Sequence, residues 1–395
     1  MASIARKNLL EDIPRFLVAQ AGIMFAVGLV TIQTGLQYGF ARSSSLLIDK
    51  SKADIWVSSK NMVHLGLTLP IPYERVSQAQ NVAGVDRAEA FIVRGQLWRD
   101  PEDNIASATL IGLEPEGQLF SLWNITQGRL SDLKQPYSII VDEASLTGLN
   151  VKRVGDSGKL NHLNAKVVGL TKETKSLVLG SSIFTSLESA NTYLNPLLNK
   201  EPSDKSQPTP DPKPLSSTDP ISFVLVRAKP GENLQSLKQR LEAALPDTRA
   251  DTRDEMALQT QRYWQQRSGI GFILGLGAVV GLIVGVVIVG QILYSSVSDH
   301  IKEFGTLKAM GASDWAIYKV IIEQAMWMAI LGYVPGMALC LGVAAWTSAT
   351  QGILILITPG SAAAVFGITV VMCITSAIFA IQKVTRVDPA IVFKA

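Results

Sequence analysis

Charged residues are missing from three stretches of the chain, Phe16–Ala41, Ser268–Ser298 and Gln324–Gln382, while short apolar runs punctuated by polar turns fill the region between the first two. Runs of 26, 31 and 59 residues exceed the ~20 apolar residues that a helix needs to cross a bilayer. The longest is too long for one span and is expected to fold back once, at the turn signal Thr358-Pro359-Gly360. The pattern predicts four transmembrane helices, over residues 16–40, 269–294, 321–346 and 362–381, with loops at 295–320 and 347–361. Arg6, Lys7 and Arg15 precede the first run as they would in a signal peptide. That run is about twice a usual signal-peptide core and no A-x-A site ends it, so it reads as an uncleaved anchor.

Lysines and arginines in the short segments set the expected orientation. They occur in the N-terminal segment 1–15, in the 295–320 loop (Lys302, Lys308, Lys319) and in the 382–395 tail (Lys383, Arg386, Lys394), and are absent from 347–361. Both termini and the 295–320 loop are therefore expected in the cytoplasm, the 1–15 segment as an amphipathic lead-in. Residues 41–268 are expected outside, in a plasma (inner) membrane protein.

That insert carries β-type runs at Asp54–Ser58, Ala90–Trp98, Ala106–Gly112, Tyr137–Asp142, Ala165–Leu170 and Ile221–Ala228. Helical patterns lie between them at Pro72–Gln80, Thr185–Tyr193 and Asn233–Leu245, the last with Leu234, Leu237, Leu241 and Leu245 on one face. The expected fold class is an α-helical membrane protein with four transmembrane helices plus a large α+β extracytoplasmic domain inserted between helices 1 and 2. Six prolines between Pro202 and Pro220 predict a loop over 200–220 without a packed core. Residues 254–294 lack proline and are expected to run as one helix, its 254–268 part a stalk above the membrane.

Composition narrows the function classes. Only 17% of residues are charged, against ~25% in soluble domains, which excludes a soluble enzyme or a disordered chain. A net charge of +3 from 36 basic and 33 acidic residues gives no basic face for nucleic acid. Cys340 and Cys373 both sit in uncharged runs and read as small packing residues. Gly155-Asp156-Ser157-Gly158 looks like a serine-protease nucleophile site with His64 upstream, but Lys159 stands where another glycine is required, and the segment reads as a turn. Gly158-Lys159-Leu160 is no phosphate-binding loop, because Leu160 replaces the Ser/Thr. His64, His162 and His300 are scattered without metal-ligand spacing. No catalytic residue, metal or cofactor is expected on this chain.

Two features remain. Gly271 and Gly275, then Gly277, Gly281 and Gly285, recur in steps of four, as do Gly35 and Gly39; small residues so spaced let membrane helices approach closely. The segment Ser298–Ser313 reads as a short helix ended by Gly311 in a left-handed cap, with Ser313 starting the next helix.

Within it, Glu303-Phe304-Gly305-x-Leu307-Lys308-Ala309-x-Gly311-Ala312 resembles the E-[IF]-G-x-L-[RK]-A-x-G-A signature of FtsX/MacB-type (type VII) ABC transporter permeases. Glu323 is similar to a recurrent acidic position of that family, and Val154–Leu170 resembles the β-rich part of its outer domain. Gly290-Gln291-Ile292-Leu293-Tyr294-Ser295 looks most like the cyanobacterial DevC branch. The resemblance implies a permease subunit docked through this loop on a separate ATPase that holds ATP and Mg. It also implies a second permease copy, membrane lipid around the spans, and a periplasmic adaptor with an outer-membrane channel for lipid or glycolipid export. An FtsX-like activator of an outer enzyme, a lipoprotein extractor and a membrane sensor stay open as alternatives.

Overall fold

The computed structural model describes residues 13–195, 211–267, 269–301, 303, 306, 310, 313–351 and 353–385. The first half runs α1 (Ile13–Ser44), α2 (Leu46–Lys50), β1 (Ile55–Ser59), β2 (Ile71–Pro72), α3 (Glu74–Gln80), β3 (Val85–Arg99), β4 (Ile105–Leu113), β5 (Ile125–Gln127) and β6 (Ser138–Asp142). It continues through β7 (Ser157–Leu160), β8 (Leu163–Thr171), β9 (Ser181–Ser186), α4 (Leu187–Leu194), β10 (Pro220–Ile221) and β11 (Phe223–Ala228). After α5 (Leu234–Ala244), β12 (Thr248–Thr252) and α6 (Arg253–Arg262) come the long helices α7 (Ile270–Asp299), α8 (Asp314–Gln351) and α9 (Pro359–Thr385). Two compact units result: residues 1–39, 269–349 and 353–395 form one, and residues 40–268 with 350–352 form the other.

In the first unit, α1, α7, α8 and α9 are each long and apolar enough to cross a membrane. Their shared core takes Ile23, Ala26 and Val27 from α1, Val289 and Leu293 from α7, Ile321 and Met328 from α8, and Met372 and Cys373 from α9. Helix α7 buries only Gly281, Gly285, Val289, Leu293 and Val297, a single stripe at four-residue spacing. Helix α8 begins earlier and ends later than the 321–346 pattern suggested, and it carries Pro335 within its length. The expected fold-back lies at 353–358, a stretch without helix or strand between α8 and Pro359.

The inserted unit is a mixed sheet in the order β12-β1-β11-β3-β4-β9-β6-β8-β5, with β7 pairing both β3 and β8. Those pairings close β3, β4, β9, β6, β8 and β7 into a ring, while β12, β1 and β11 extend one side of it as an open antiparallel sheet. One face of the sheet packs Ile55, Val57, Val224, Leu237 and Leu241. The other packs Trp56 edge-on against Phe91 and Phe223, at 5.6 and 5.4 Å between ring centroids.

One expectation is corrected. Residues 254–294 are not one helix: α6 passes into a π-helical turn at Tyr263–Arg267, and α7 starts only after Gly269, whose φ of 75° is left-handed. A glycine there adopts a backbone that ends one helix and begins another, which the lack of proline did not reveal. The 200–220 stretch is anchored at its far end, since Tyr73 N–H donates to Asp219 O at 2.8 Å and Pro220–Ile221 pairs with Ile71–Pro72. The rest of that prediction, over 196–210, lies outside the described residues.

Gly155-Asp156-Ser157-Gly158 is a turn into β7. Asp156 Oδ2 accepts from the N–H groups of Lys152 and Arg153 at 2.9 and 3.2 Å. Gly158 leaves room for the Trp98 indole, which a β-carbon there would meet at 2.1 Å. Trp98 is fully buried and donates Nε1–H to Leu149 O at 2.8 Å.

Candidate functional site

Helix α7 ends at Asp299, with His300 N–H bonded to Ser296 O at 3.2 Å. Beyond it, His300 Nδ1 lies 3.2 Å from Glu303 Oε1, and Met310 N–H donates to Thr306 O at 3.0 Å, a helical i,i+4 bond. Of the sequence-derived coupling residues, Glu303 is described and its side chain is exposed. Phe304, Gly305, Leu307, Lys308, Ala309 and Gly311 lie outside the described residues. Glu323 is half-buried on α8, and no hydrogen bond among the described residues joins it to Glu303.

Two exposed apolar side chains, one within this segment and one just beyond it, were not singled out from the sequence: Met310 at 72% and Trp315 at 71% exposure. Ile317, Ile321, Ala325 and Met328 define the buried face of α8. Trp315 sits two residues before Ile317, about 200° away around the helix. Its phase was therefore readable as outward-facing.

The glycine series divides into two groups. A β-carbon at Gly277 would meet Gln33, one at Gly281 would sit 2.8 Å from Leu29 Cβ, and one at Gly285 would sit 2.7 Å from Ala26 Cβ and 2.3 Å from Met372 Sδ. These three seat α7 against α1, and Gly285 also against α9. At Gly275 nothing lies within 4 Å, and Gly271 is half-exposed. Gly35 and Gly39 admit the 353–358 stretch instead: Leu356 N–H donates to Gly35 O at 3.0 Å, and a β-carbon at Gly39 would fall 1.8 Å from Leu354 O.

Within the inserted unit, the two chain segments at its ends are joined, a feature no sequence pattern announced. Phe40 packs edge-on against Trp264 at 5.7 Å, Gln261 Nε2 donates to Ser45 Oγ at 2.8 Å, and Arg253 Nη1 reaches Ser51 O at 3.5 Å. Leu47 and Ile48 share a buried cluster with Met256 and Ala257. His64 completes the lock, its ring 4.5 Å from Tyr263 and 5.1 Å from Trp264. Burial pushes its pKa below the usual histidine value. Its Nδ1 accepts Gly66 N–H at 3.2 Å, so the neutral ring carries its proton on Nε2.

Cys340 and Cys373 are buried free thiols. Among the described residues no three His, Cys, Asp or Glu side chains come together in a metal-binding group.

Comparison with known proteins agrees with this division of the chain. The family model of the MacB-like periplasmic core domain matches residues 16–244, and that of the FtsX-like permease C-terminal matches residues 275–389. An uncharacterized ABC transporter permease of Mycobacterium bovis is 22% identical over 384 residues, 95% of this chain and 94% of its own length. One from Methanocaldococcus jannaschii is 22% identical over 223 residues, 55% of this chain, which spans half of that relative's length. Among solved structures, the periplasmic region of MacB from Actinobacillus actinomycetemcomitans aligns with a TM-score of 0.36 at 13% identity, covering 52% of this chain and 92% of that one. The extracellular domain of the noncanonic ABC-type transporter YknZ from Gram-positive bacteria gives 0.33 at 13% identity, covering 51% and 98%. With a periplasmic-core match over more than half its residues and a permease match over its last three helices, the chain belongs to the FtsX/MacB-type family of ABC transporter permeases, membrane subunits of a non-catalytic class that work with an ATPase partner.

Proposed function

We propose that this permease converts ATP-driven closure of its ATPase partner into movement of the inserted domain, and so drives export of a lipid, glycolipid or other envelope substrate. The observation that carries this reading is the lock between residues 40–51 and 253–267: Phe40 on Trp264, Ser45 on Gln261 and Ser51 on Arg253. Paired in this way, the segments leading to α1 and α7 transmit displacement together. In this reading the 295–320 segment and both termini face the cytoplasm of an inner-membrane protein, and the inserted domain faces the periplasm.

Glu303 and Lys308 supply polar contacts to the ATPase, and Phe304 and Leu307 supply buried area. The exposed Met310 and Trp315 extend the same contact. ATP and Mg are held by the partner. The exposed face of α7, with Phe272, Ile273, Leu276 and Val280, suits lipid or a second permease copy in a homodimer. A periplasmic adaptor and an outer-membrane channel, as in the DevC branch, complete the assembly.

The test is affinity purification of the tagged protein from native membranes in mild detergent, followed by mass spectrometry. An ATPase recovered with an adaptor supports the exporter. An ATPase with a cell-wall enzyme or with lipoproteins would replace it by the activator or extractor reading, and no ATPase at all would reopen the sensor reading. A Phe304→Ala, Leu307→Ala double variant is expected to lose the ATPase, and ordinary recovery would refute the docking assignment.

A further inference from the structure

The inserted unit holds a cleft of about 650 Å³ between α5, β12, α6 and the Tyr263–Arg267 turn. This volume falls in the range of ligand sites, ~300–1,000 Å³. Its charges are unevenly matched. Lys238 pairs with Glu255, and Arg249 pairs with Asp251 at 2.6 Å while also donating to Gln259 Oε1 at 2.5 Å. Arg262 and Arg267 also line the cleft, both exposed, and neither has an ion-pair partner among the described residues. Each of these pairs is neutral in itself, which leaves two guanidinium groups over.

Apolar side chains border the same cleft. Leu258 lines it and is half-exposed. Val63, another lining residue, donates its N–H to Leu67 O at 3.0 Å, and both Leu67 and Leu69 are largely exposed. By chain order Arg267 precedes the first residue of α7, Ile270, by three positions. The cationic wall is thus the last polar stretch before an apolar helix of membrane-spanning length. A π-helical turn forms part of that wall, a distortion often found at functional sites.

We propose that this cleft binds the phosphate-bearing headgroup of an anionic membrane lipid, with Arg262 and Arg267 on the phosphate and Leu258 and Val63 against the upper acyl chains. Guanidinium groups recognise phosphate oxygens through paired, charge-assisted hydrogen bonds. Burial raises the Glu255 pKa, but the Lys238 ammonium and the Thr252 N–H outweigh it and hold the carboxylate at about 2. The inner carboxylate therefore stays ionised and is held on Lys238. The site depends neither on the cargo nor on the ATPase assignment.

The full-length protein in mild detergent would be titrated with phosphatidylglycerol, with diacylglycerol of the same acyl chains, and with inorganic phosphate, and read by native mass spectrometry. Arg262→Gln with Arg267→Gln is expected to weaken phosphatidylglycerol binding about tenfold or more, the scale of losing a charged hydrogen-bonding partner. Arg262→Lys with Arg267→Lys, which keeps the charge but not the planar fork, is expected to fall between the two. Unchanged melting of both variants would show that the fold is intact. Equal binding of diacylglycerol and phosphatidylglycerol, or no change in the glutamine variant, would overturn the site. Arginine-dependent binding of inorganic phosphate without phosphatidylglycerol would overturn the lipid assignment in favour of a soluble phosphate.

Discussion

Gly39 and Gly28 lie in the same helix, α1, and their replacement by alanine is expected to have opposite effects. Alanine in place of glycine inside a helix gains roughly 0.5–1 kcal/mol from lost backbone freedom. At Gly28 no atom lies within 4 Å of the new methyl, so the gain is realised. At Gly39 the methyl would fall 1.8 Å from Leu354 O and 2.9 Å from Leu354 C. Backbone atoms cannot swing aside as a side chain does, so residues 353–358 must retreat by roughly 1.5 Å to restore ordinary contact. That retreat stretches the bond from Leu356 N–H to Gly35 O and loosens Ile355, which is buried against Gly35. Overpacking costs of about 1–3 kcal/mol, plus about 1 kcal/mol for the strained hydrogen bond, exceed the helix gain. The net loss is about 1–3 kcal/mol. The two buried thiols, Cys340 and Cys373, provide the assay, because a thiol-reactive dye reports their exposure as this unit melts. Gly39→Ala is expected to melt several degrees below wild type and Gly28→Ala at or slightly above it. Equal melting of the two variants would refute the close approach at Gly39.

Three further outcomes follow from the same geometry. Leucine at Gly285 collides with Ala26 and Met372 whereas leucine at Gly275 meets open space, so Gly285→Leu is expected to lower the dye-detected melting temperature and Gly275→Leu to leave it unchanged. Phe40→Ala and Trp264→Ala are expected to be non-additive in a double-mutant cycle, with a coupling of about 0.5–1.5 kcal/mol for the edge-on pair; additivity would remove the lock. Glu255, held at about 2 against a usual 4.5, contributes stability that is present above pH 4.5 and is lost as pH falls toward 2. Its side chain is 41% exposed, so solvent screening keeps the effect small. Tryptophan-monitored melts of wild type and Glu255→Gln are expected to converge between pH 5 and about 2.5, and parallel curves would contradict the assignment.

Much of the fold was legible because its signals are local. Uncharged runs marked all four long helices, and all six β-type runs fall inside or nearly match observed strands. Strand β9 was missed because Ser181-Ser182-Ile183-Phe184-Thr185-Ser186 has only two apolar residues, yet it pairs with both β4 and β6. Its polar side chains are tolerated by partners far along the chain, as where Thr185 Oγ1 donates to Ser138 O at 2.8 Å. The helical pattern read from Thr185 starts two residues late in the structure, at Leu187, because Ser186 is the cap and accepts Ser189 N–H at 3.2 Å. Strand β12, Thr248-Arg249-Ala250-Asp251-Thr252, shows no apolar alternation at all; its pairing with β1 and its ion pair create it.

The candidate sites divide along the same line. A four-residue glycine step is visible in sequence, but the step cannot tell Gly281, which faces Leu29, from Gly275, which faces nothing; only the neighbouring helix decides. Phe40 and Trp264 are separated by 224 positions, and no periodicity reaches that far. The consequence for the proposed mechanics is specific. Within the membrane unit, α1 and α7 are seated on each other through Gly277, Gly281 and Gly285, and within the inserted unit the segments 40–51 and 253–267 are locked together. Between these pairings α1 runs without a break from Ile13 to Ser44, whereas the other connection passes through the left-handed Gly269. The two connections thus differ in the backbone itself: one is helical throughout, and the other turns at a glycine in the left-handed region that other residues rarely adopt.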